Sequence, residues 1–214
     1  MSIQSSIAAF NETRAKKHQQ DLEYTVNRLE VSKEELSGLT KSISDLQVAI
    51  PSWALGTGGT RFGRFPQGGE PRNLEEKIED VGLIHAISKA TNSISLHIPW
   101  DIPSHVDELM VLLKEHNLSI DAVNSNTFQD QADQRHSYRL GSLCHTNGSI
   151  RQQAVDHNIE VIEHGKAMGS KTLSVWLADG SNFPGQMDFR RSYRHTVESL
   201  QKILMQAVTR GTKE

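Results

Sequence analysis

The sequence predicts an α/β protein built from four successive βα units that follow a helical amino-terminal segment. From Leu46 onward, short apolar runs alternate with longer stretches in which apolar residues recur every three or four positions, as in strands followed by amphipathic helices. All three tryptophans, Trp53, Trp100 and Trp176, stand where a strand-like run gives way to Gly, Pro, Asn and Asp. This alternation favours a parallel sheet with right-handed crossovers, either an open doubly wound sheet or part of a barrel.

Residues 1–45 are predicted to form a helical extension. Apolar residues such as Ile3, Ile7 and Phe10 recur there at helical spacing. A second helix is expected to begin after Ser32, whose hydroxyl can cap it while Glu35 reaches back as in a capping box. Because the apolar stripe does not persist for three heptads, a surface hairpin on a larger core is favoured over a coiled coil.

Residues 46–214 carry the four predicted βα units. The expected strands are residues 47–52, 93–99, 119–124 and 171–177. The helices that follow them are expected to begin near Asn73, Ser104, Ser149 and Asp188. The second of these helices is expected to bury Met110, and the last to have one apolar face with Tyr193, Leu204 and Val208 in register. Asn73 has Glu76 three residues later, which is typical of a helix amino terminus, and Gly169 is a suitable stop for the third of these helices.

Composition limits the classes of function. The 214 residues are 36% hydrophobic and 23% charged, as expected for a soluble globular chain with one sizeable core. A net charge of -3 gives no basic footprint for nucleic acid or an anionic membrane surface. With no long apolar run and no signal-like start, the chain is expected to be cytoplasmic. Its one cysteine, Cys144, permits no internal disulfide and fits a reducing compartment.

The strand ends predict a binding site. In parallel α/β folds the carboxyl ends of the strands gather at one mouth, where ligands bind. His97 lies near the end of the second strand, with Trp100 and Asp101 just beyond. An imidazole can exchange protons near neutral pH, and indole faces can cover the C–H surfaces of sugars. A hydrogen-bonded core histidine would account for His97 alone, but its aromatic neighbours favour a site.

The glycine-rich loop of residues 56–66 leaves two alternatives. Its glycines would let backbone amides approach a phosphate, but the spacing fits neither common phosphate-binding motif. A shaped loop that presents Phe62 and Phe65 is therefore favoured. The nine other histidines are expected to be surface or packing residues without a metal-ligand partner one helical turn away.

Six segments of the chain together resemble the amino-terminal half of a bacterial L-rhamnose isomerase of the broad-specificity type, in the xylose isomerase-like superfamily. They are residues 48–62 (VAIPSWALGTGGTRF), 95–101 (SLHIPWD), 124–128 (NSNTF), 136–138 (HSY), 141–147 (GSLCHTN) and 175–186 (VWLADGSNFPGQ). The resemblance implies a (β/α)8 TIM barrel that interconverts aldoses and ketoses by a metal-assisted hydride shift, with Mn²⁺ or a similar divalent ion.

The resemblance also implies roles for particular residues. Residues matching Trp53, His97, Trp100, Phe128 and Trp176 line the sugar pocket of that family. The residue matching Phe62 reaches the site of a neighbouring subunit, which implies a homo-oligomer, a tetramer for the full-length protein. His97 is the position expected to act in catalysis, through ring opening or a sugar hydroxyl.

The family's metal ligands, a Glu, Asp and His set, come from strands five to eight, whereas this chain ends at Glu214 after its fourth unit. The chain is therefore expected to be a half barrel without metal ligands of its own, inactive alone, with two open sheet edges. Two other functions stay open from the residues: a non-catalytic sugar-binding or scaffold module, and an unrelated phosphate-binding protein that uses the Gly56 loop.

Overall fold

The computed structural model of the chain describes residues 2–46, 48–56, 68–177, 185 and 187–211. The helices are α1 (Ile3–Leu29), α2 (Lys33–Ser44), α3 (Leu74–Ser88), α4 (Val106–Glu115), α5 (Gly148–Ala167) and α6 (Phe189–Gly211). The strands are β1 (Val48–Pro51), β2 (Thr91–Ile98), β3 (Ser119–Ser125) and β4 (Thr172–Val175), and a 3-10 turn (Ser52–Ala54) follows β1. The four βα units occur in the predicted order.

The four strands form one parallel sheet in the order β1-β2-β3-β4. Ile50 of β1 lies opposite Ile94 of β2, and His97 of β2 lies opposite Asn124 of β3, which in turn lies opposite Ser174 of β4. A doubly wound sheet reverses its strand order at a switch point, whereas consecutive strands of a barrel are neighbours throughout. The observed order therefore favours a barrel segment, the alternative that the pattern alone left open.

The hydrophobic core lies between the sheet and its covering helices. Ile94, Leu96 and Ile98 of β2 have no exposed surface. They belong to one cluster with buried residues of α3, α4, β3 and α5: Leu74, Ile78, Val81, Leu109, Leu113, Ile120, Val123 and Val161. The other face of the sheet carries polar side chains, with Ser95 donating to Asp121 at 3.1 Å. The sheet thus has an apolar outer face under the helices and a polar inner face.

The helical extension forms as predicted. Ser32 accepts from the backbone N–H of Glu35, and the Glu35 carboxylate accepts from the backbone N–H of Ser32, so the capping box is confirmed. Neither α1 nor α2 contains a buried residue. Asn11 ties α1 to the end of α3 by donating to the carbonyl of Ala86 at 2.9 Å. The extension therefore sits on the side of the βα units rather than within their core.

Two expectations about the helices need correction. Met110 of α4, expected in the core, is 42% exposed. The apolar face expected on α6 is covered only in part: Ile203 is buried, but Tyr193, Leu204 and Val208 are exposed. The physical reason is position at the edge of the sheet: α6 packs mainly against α5, and β4 has a neighbouring strand on one side only among the described residues. These exposed apolar residues of α6 consequently have little to pack against among the described residues.

The element ends otherwise agree with the pattern. Asn73 accepts from the backbone N–H of Glu76 as predicted, and Gly169 follows α5 with φ +78°, a conformation that favours glycine. The fourth strand is shorter than predicted, so Trp176 and Leu177 lie beyond it. No helix in the described ranges combines the length and the apolar character that a membrane crossing requires.

Candidate functional site

The structure brings five of the predicted site residues together at the carboxyl ends of the strands. The His97 ring lies 5.5 Å from the Trp53 ring, 4.7 Å from the Trp100 ring and 5.6 Å from the Phe128 ring, measured between centroids. Phe128 in turn lies 4.9 Å from Trp176. These five side chains follow or end four different strands, and we call them the aromatic cup. The interpretation that distant stretches of sequence converge on one mouth is consistent with this geometry.

His97 sits at the centre of the aromatic cup. It is buried, and its backbone N–H donates to Asp101 Oδ2 at 2.7 Å. Burial lowers the pKa of the imidazole to about 4, although the Asp101 charge and a hydrogen bond to the backbone of Ser125 favour the protonated form; the charges of His157 and Lys77 lower it further. At neutral pH the ring is therefore uncharged and keeps one donor and one acceptor nitrogen.

Stability should reflect this lowered pKa. Because the folded pKa of His97 is about 4 and the unfolded value about 6.5, the unfolded state takes up more protons in that window. Stability is then complete above pH 6.5 and falls as the pH drops, by about 2 kcal/mol at pH 5. Urea unfolding at pH 7.5 and pH 5 measures the loss. His97→Gln should remove that part of the loss, and an unchanged pH dependence in this variant would contradict it.

Behind the rings lies a buried ion pair. Lys77 Nζ of α3 donates to Asp101 Oδ1 at 2.6 Å, and the two side chains are only 7% and 1% exposed. The hydroxyl of Ser52, the residue before Trp53, donates to Asp101 Oδ2. Asp101 therefore connects the segment after β1, the helix α3 and the turn after β2.

Sequence reasoning missed the ion pair, although a signal was present. Leu74, Lys77, Ile78 and Val81 follow the i, i+3, i+4, i+7 spacing of a buried helix face. A lysine within such a face needs a buried anion, because an unpaired charge is costly to bury. The nearest acid after a strand end, Asp101, was a candidate for that anion.

Several polar atoms around the mouth lack partners. Among the residues that the structure describes, His97 Nε2, Ser125 Oγ, Asn126 Oδ1 and Thr127 Oγ1 are buried without a hydrogen-bond partner. Nearly all buried polar atoms in proteins are paired, so a group of unpaired atoms at one mouth indicates a place for water or a ligand. Hydroxyl groups of a sugar could supply the missing donors and acceptors.

A second polar region adjoins the aromatic cup. A cleft of about 710 Å³ is lined by, among others, Pro99, Asn126, His157 and Glu160. His157 Nε2 accepts from the backbone N–H of Asn126 at 3.0 Å and so fixes the loop after β3. Burial lowers the pKa of His157, and Glu160 partly offsets this effect.

Two of the other histidines have an acidic neighbour one helical turn away. The Glu160 carboxylate lies 3.7 Å from His157 Nδ1 and 3.8 Å from His164 Nε2. The spacing i, i+3 and i, i+4 along α5 places these side chains on one helix face. His157 is moreover a half-buried packing residue with a defined hydrogen bond, as expected for these histidines.

The side chains of the described residues do not fit a divalent metal. No group of three or more His, Cys, Asp and Glu side chains suitable for an ion occurs in the part of the chain that the structure describes. At the mouth, the carboxylate of Asp101 is already bound by Lys77, Ser52 and the His97 backbone. We therefore derive no chemical step through a metal from these residues.

Other sequence predictions stay open. Phe62, Phe65 and most of the glycine-rich loop lie outside the described residues, so neither a phosphate role nor a subunit contact of Phe62 is tested. The functions expected for Trp53, His97, Trp100, Phe128 and Trp176 also stay predictions, since their proximity is a geometric observation.

The chain is similar in sequence to two bacterial proteins that are named as probable sugar isomerases. The chain is 45% identical over 199 residues to a protein of Rhizobium meliloti (strain 1021) named as a probable sugar isomerase, a match that covers 93% of this chain and 46% of the relative. It is 47% identical over 168 residues to a second probable sugar isomerase, from Mesorhizobium japonicum, covering 78% of this chain and 39% of that protein. The chain thus spans less than half of the length of these relatives. No protein-family model matches it.

Among solved structures, the fold is similar to that of an L-ribulose 3-epimerase. The TM-score is 0.50 at 13% sequence identity, over 76% of this chain and 46% of the epimerase. At this identity the likeness concerns the fold alone. Together with the sequential parallel sheet it confirms the predicted α/β class, with a TIM-barrel type of fold and an arrangement consistent with a half barrel.

Proposed function

We propose that this chain supplies the sugar-binding wall of an aldose–ketose isomerase, with L-rhamnose and L-rhamnulose as substrate and product. The observation that carries the proposal is the aromatic cup, in which rings from separate strand ends surround a buried, uncharged imidazole. The names of the two bacterial relatives support a sugar isomerase in general. The choice of L-rhamnose rests on the sequence resemblance of the strand-end segments.

The chemistry of the cup suits a monosaccharide. A sugar ring has apolar C–H faces and polar hydroxyl edges, so it can stack on indole faces while its hydroxyls bond to polar groups. Trp176 is 47% exposed and available for such stacking. His97 Nε2 and the unpaired side chains after β3 would meet the hydroxyls once a sugar displaces one of the covering rings. In this arrangement His97 accepts or donates a hydroxyl proton, as ring opening requires.

The proposal assigns the metal-binding part of the catalyst to residues other than those of this chain. We propose that the hydride shift depends on Mn²⁺ or a similar divalent ion held by residues beyond this sequence. The full-length protein is proposed to be a cytoplasmic homotetramer in which Phe62 approaches a neighbouring site. In this proposal the present chain binds and orients the sugar, and alone it does not turn it over.

The test combines binding and turnover. The purified chain is titrated with L-rhamnose, with and without Mn²⁺, while the indole NMR signals report on the three tryptophans, and product formation is assayed in parallel. We expect saturable shifts of the Trp53, Trp100 and Trp176 signals and no detectable L-rhamnulose. D-Glucitol, a sugar alcohol that can neither cyclise nor isomerise, serves as the comparison ligand.

The outcomes separate the alternatives. Turnover by this chain alone would contradict the assignment of the metal site to another part, and absence of binding to any free pentose or hexose would contradict the sugar site. Micromolar, metal-independent affinity would favour a non-catalytic sugar-binding module. Binding only to phosphorylated ligands, weakened by changing Gly58 or Arg61, would favour the phosphate-binding alternative.

A further inference from the structure

The Lys77–Asp101 ion pair lies beneath the aromatic cup and cannot itself reach a ligand. Its side chains are 7% and 1% exposed. Both carboxylate oxygens of Asp101 are engaged, Oδ1 by Lys77 and Oδ2 by Ser52 and the backbone of His97. A group so enclosed acts through the residues that it holds.

Apart from Lys77, the partners of the Asp101 carboxylate adjoin a ring of the cup or belong to the backbone of one. Ser52 directly precedes Trp53, and Trp100 directly precedes Asp101. The His97 backbone bonds to Asp101 in both directions: its N–H donates to the carboxylate at 2.7 Å, and its carbonyl accepts from the Asp101 N–H at 3.0 Å. One carboxylate thereby fixes the distance between the end of β1 and the end of β2.

Lys77 provides the second connection. It projects from the buried face of α3, between Leu74 and Val81, both of which pack against the sheet. Charge-assisted hydrogen bonds are short and directional, so a rigid helix can hold the carboxylate in one orientation. Replacing a buried pair by apolar residues often costs little stability, which favours a positional role for pairs that are present.

We propose that Lys77 and Asp101, with Ser52, are the positioning residues of the aromatic cup: they hold Trp53, His97 and Trp100 at the spacing that a sugar ring requires. The proposal rests on the proposed sugar site only for the identity of the ligand. The holding of the rings can be tested without any sugar.

A double-variant cycle supplies the test. Asp101→Asn, Lys77→Met and the combination are compared with the unchanged chain, and Arg72→Met is the control. Arg72 forms an ion pair with Glu76 beside the start of α3, but it is 85% exposed and does not contact the cup. The readouts are the NMR titration of His97 and the indole signals of Trp53 and Trp100, with Trp176 as an internal reference.

The two single variants are expected to move the pKa of His97 in opposite directions. Asp101→Asn removes the negative charge near the imidazole and leaves Lys77 unpaired, so the pKa of His97 should fall; Lys77→Met should raise it. The double variant should return it towards the starting value, because both charges are then absent. The other titratable neighbour, His157, is the same in all variants. The Trp53 and Trp100 signals should shift in both single variants and recover in part in the double variant, while Arg72→Met changes neither.

Other outcomes would overturn the inference. A His97 pKa that moves the same way in both single variants, or Trp53 and Trp100 signals that match the control, would show that the pair is structural only. If Asp101→Asn does not fold, Lys77→Met, the double variant and Ser52→Ala carry the same comparison. A chain that passes this test but binds no sugar would contradict the proposed function and leave the positioning role standing.

Discussion

Leu96→Ala is expected to lower the free energy of unfolding by about 2–5 kcal/mol. Leu96 has no exposed surface and lies in the middle of β2, which pairs with both β1 and β3. Truncation removes apolar contacts and leaves a cavity that the surrounding strands and helices cannot fully close. Small domains have only about 5–15 kcal/mol of stability in total, so this single change removes a large part of it.

Urea unfolding monitored by circular dichroism measures the effect. Leu140→Ala, at a leucine that is 74% exposed, is the matched control and should change stability by less than about 0.5 kcal/mol. Leu96→Met keeps the side-chain volume and should cost less than about 1.5 kcal/mol, which keeps the comparison possible if the alanine variant does not fold. Equal losses of unfolding free energy for Leu96→Ala and Leu140→Ala would show that β2 does not lie at the centre of the core.

Apolar periodicity was sufficient to predict the four βα units. The strands appear as short apolar runs, and in the helices apolar residues recur every three or four positions. Strand ends were less predictable. The predicted β2 begins two residues late, at Ser93 instead of Thr91, since the polar residues Thr91 and Asn92 precede the apolar run. Thr91 is compatible with a strand because it shares the polar inner face of the sheet with Ser93 and Ser95.

For β4 and α6 the sequence pattern predicted more strand and more buried surface than the structure has. Trp176 and Leu177 extend the apolar run, but β4 ends at Val175, the last residue paired with β3. Burial on α6 likewise depends on what lies beyond β4, and local pattern carries no information about that neighbour. Where packing partners decide the outcome, sequence periodicity alone predicts too much strand and too much core.

The sequence predicted the aromatic residues of the candidate site, but it did not predict the Lys77–Asp101 ion pair that lies behind them. Aromatic residues after strand ends point to the mouth directly, because the fold brings those ends together. The link between Lys77 and Asp101 spans 24 positions, and only the structure shows that one carboxylate serves two strand ends. The low pKa of His97 is a similar case, since it follows mainly from burial that no local pattern reports.

Trp176→Ala is expected to weaken sugar binding by roughly tenfold to thirtyfold. The indole is 47% exposed at the edge of the aromatic cup, 4.9 Å from Phe128. A stacked sugar would cover on the order of 80 Å² of it, worth about 2 kcal/mol at about 25 cal/mol per Å². About 1.4 kcal/mol corresponds to a tenfold change in the dissociation constant.

The neighbouring residue provides a sharp control for this prediction. Leu177 is 48% exposed and directly follows Trp176, so Leu177→Ala removes a comparable exposed apolar group at the same strand end. Isothermal titration with L-rhamnose should show the loss for Trp176→Ala and unchanged affinity for Leu177→Ala, with similar thermal midpoints for both variants. Equal affinities would remove Trp176 from the sugar site, because a ring that stacks on the ligand cannot be deleted without loss of binding free energy.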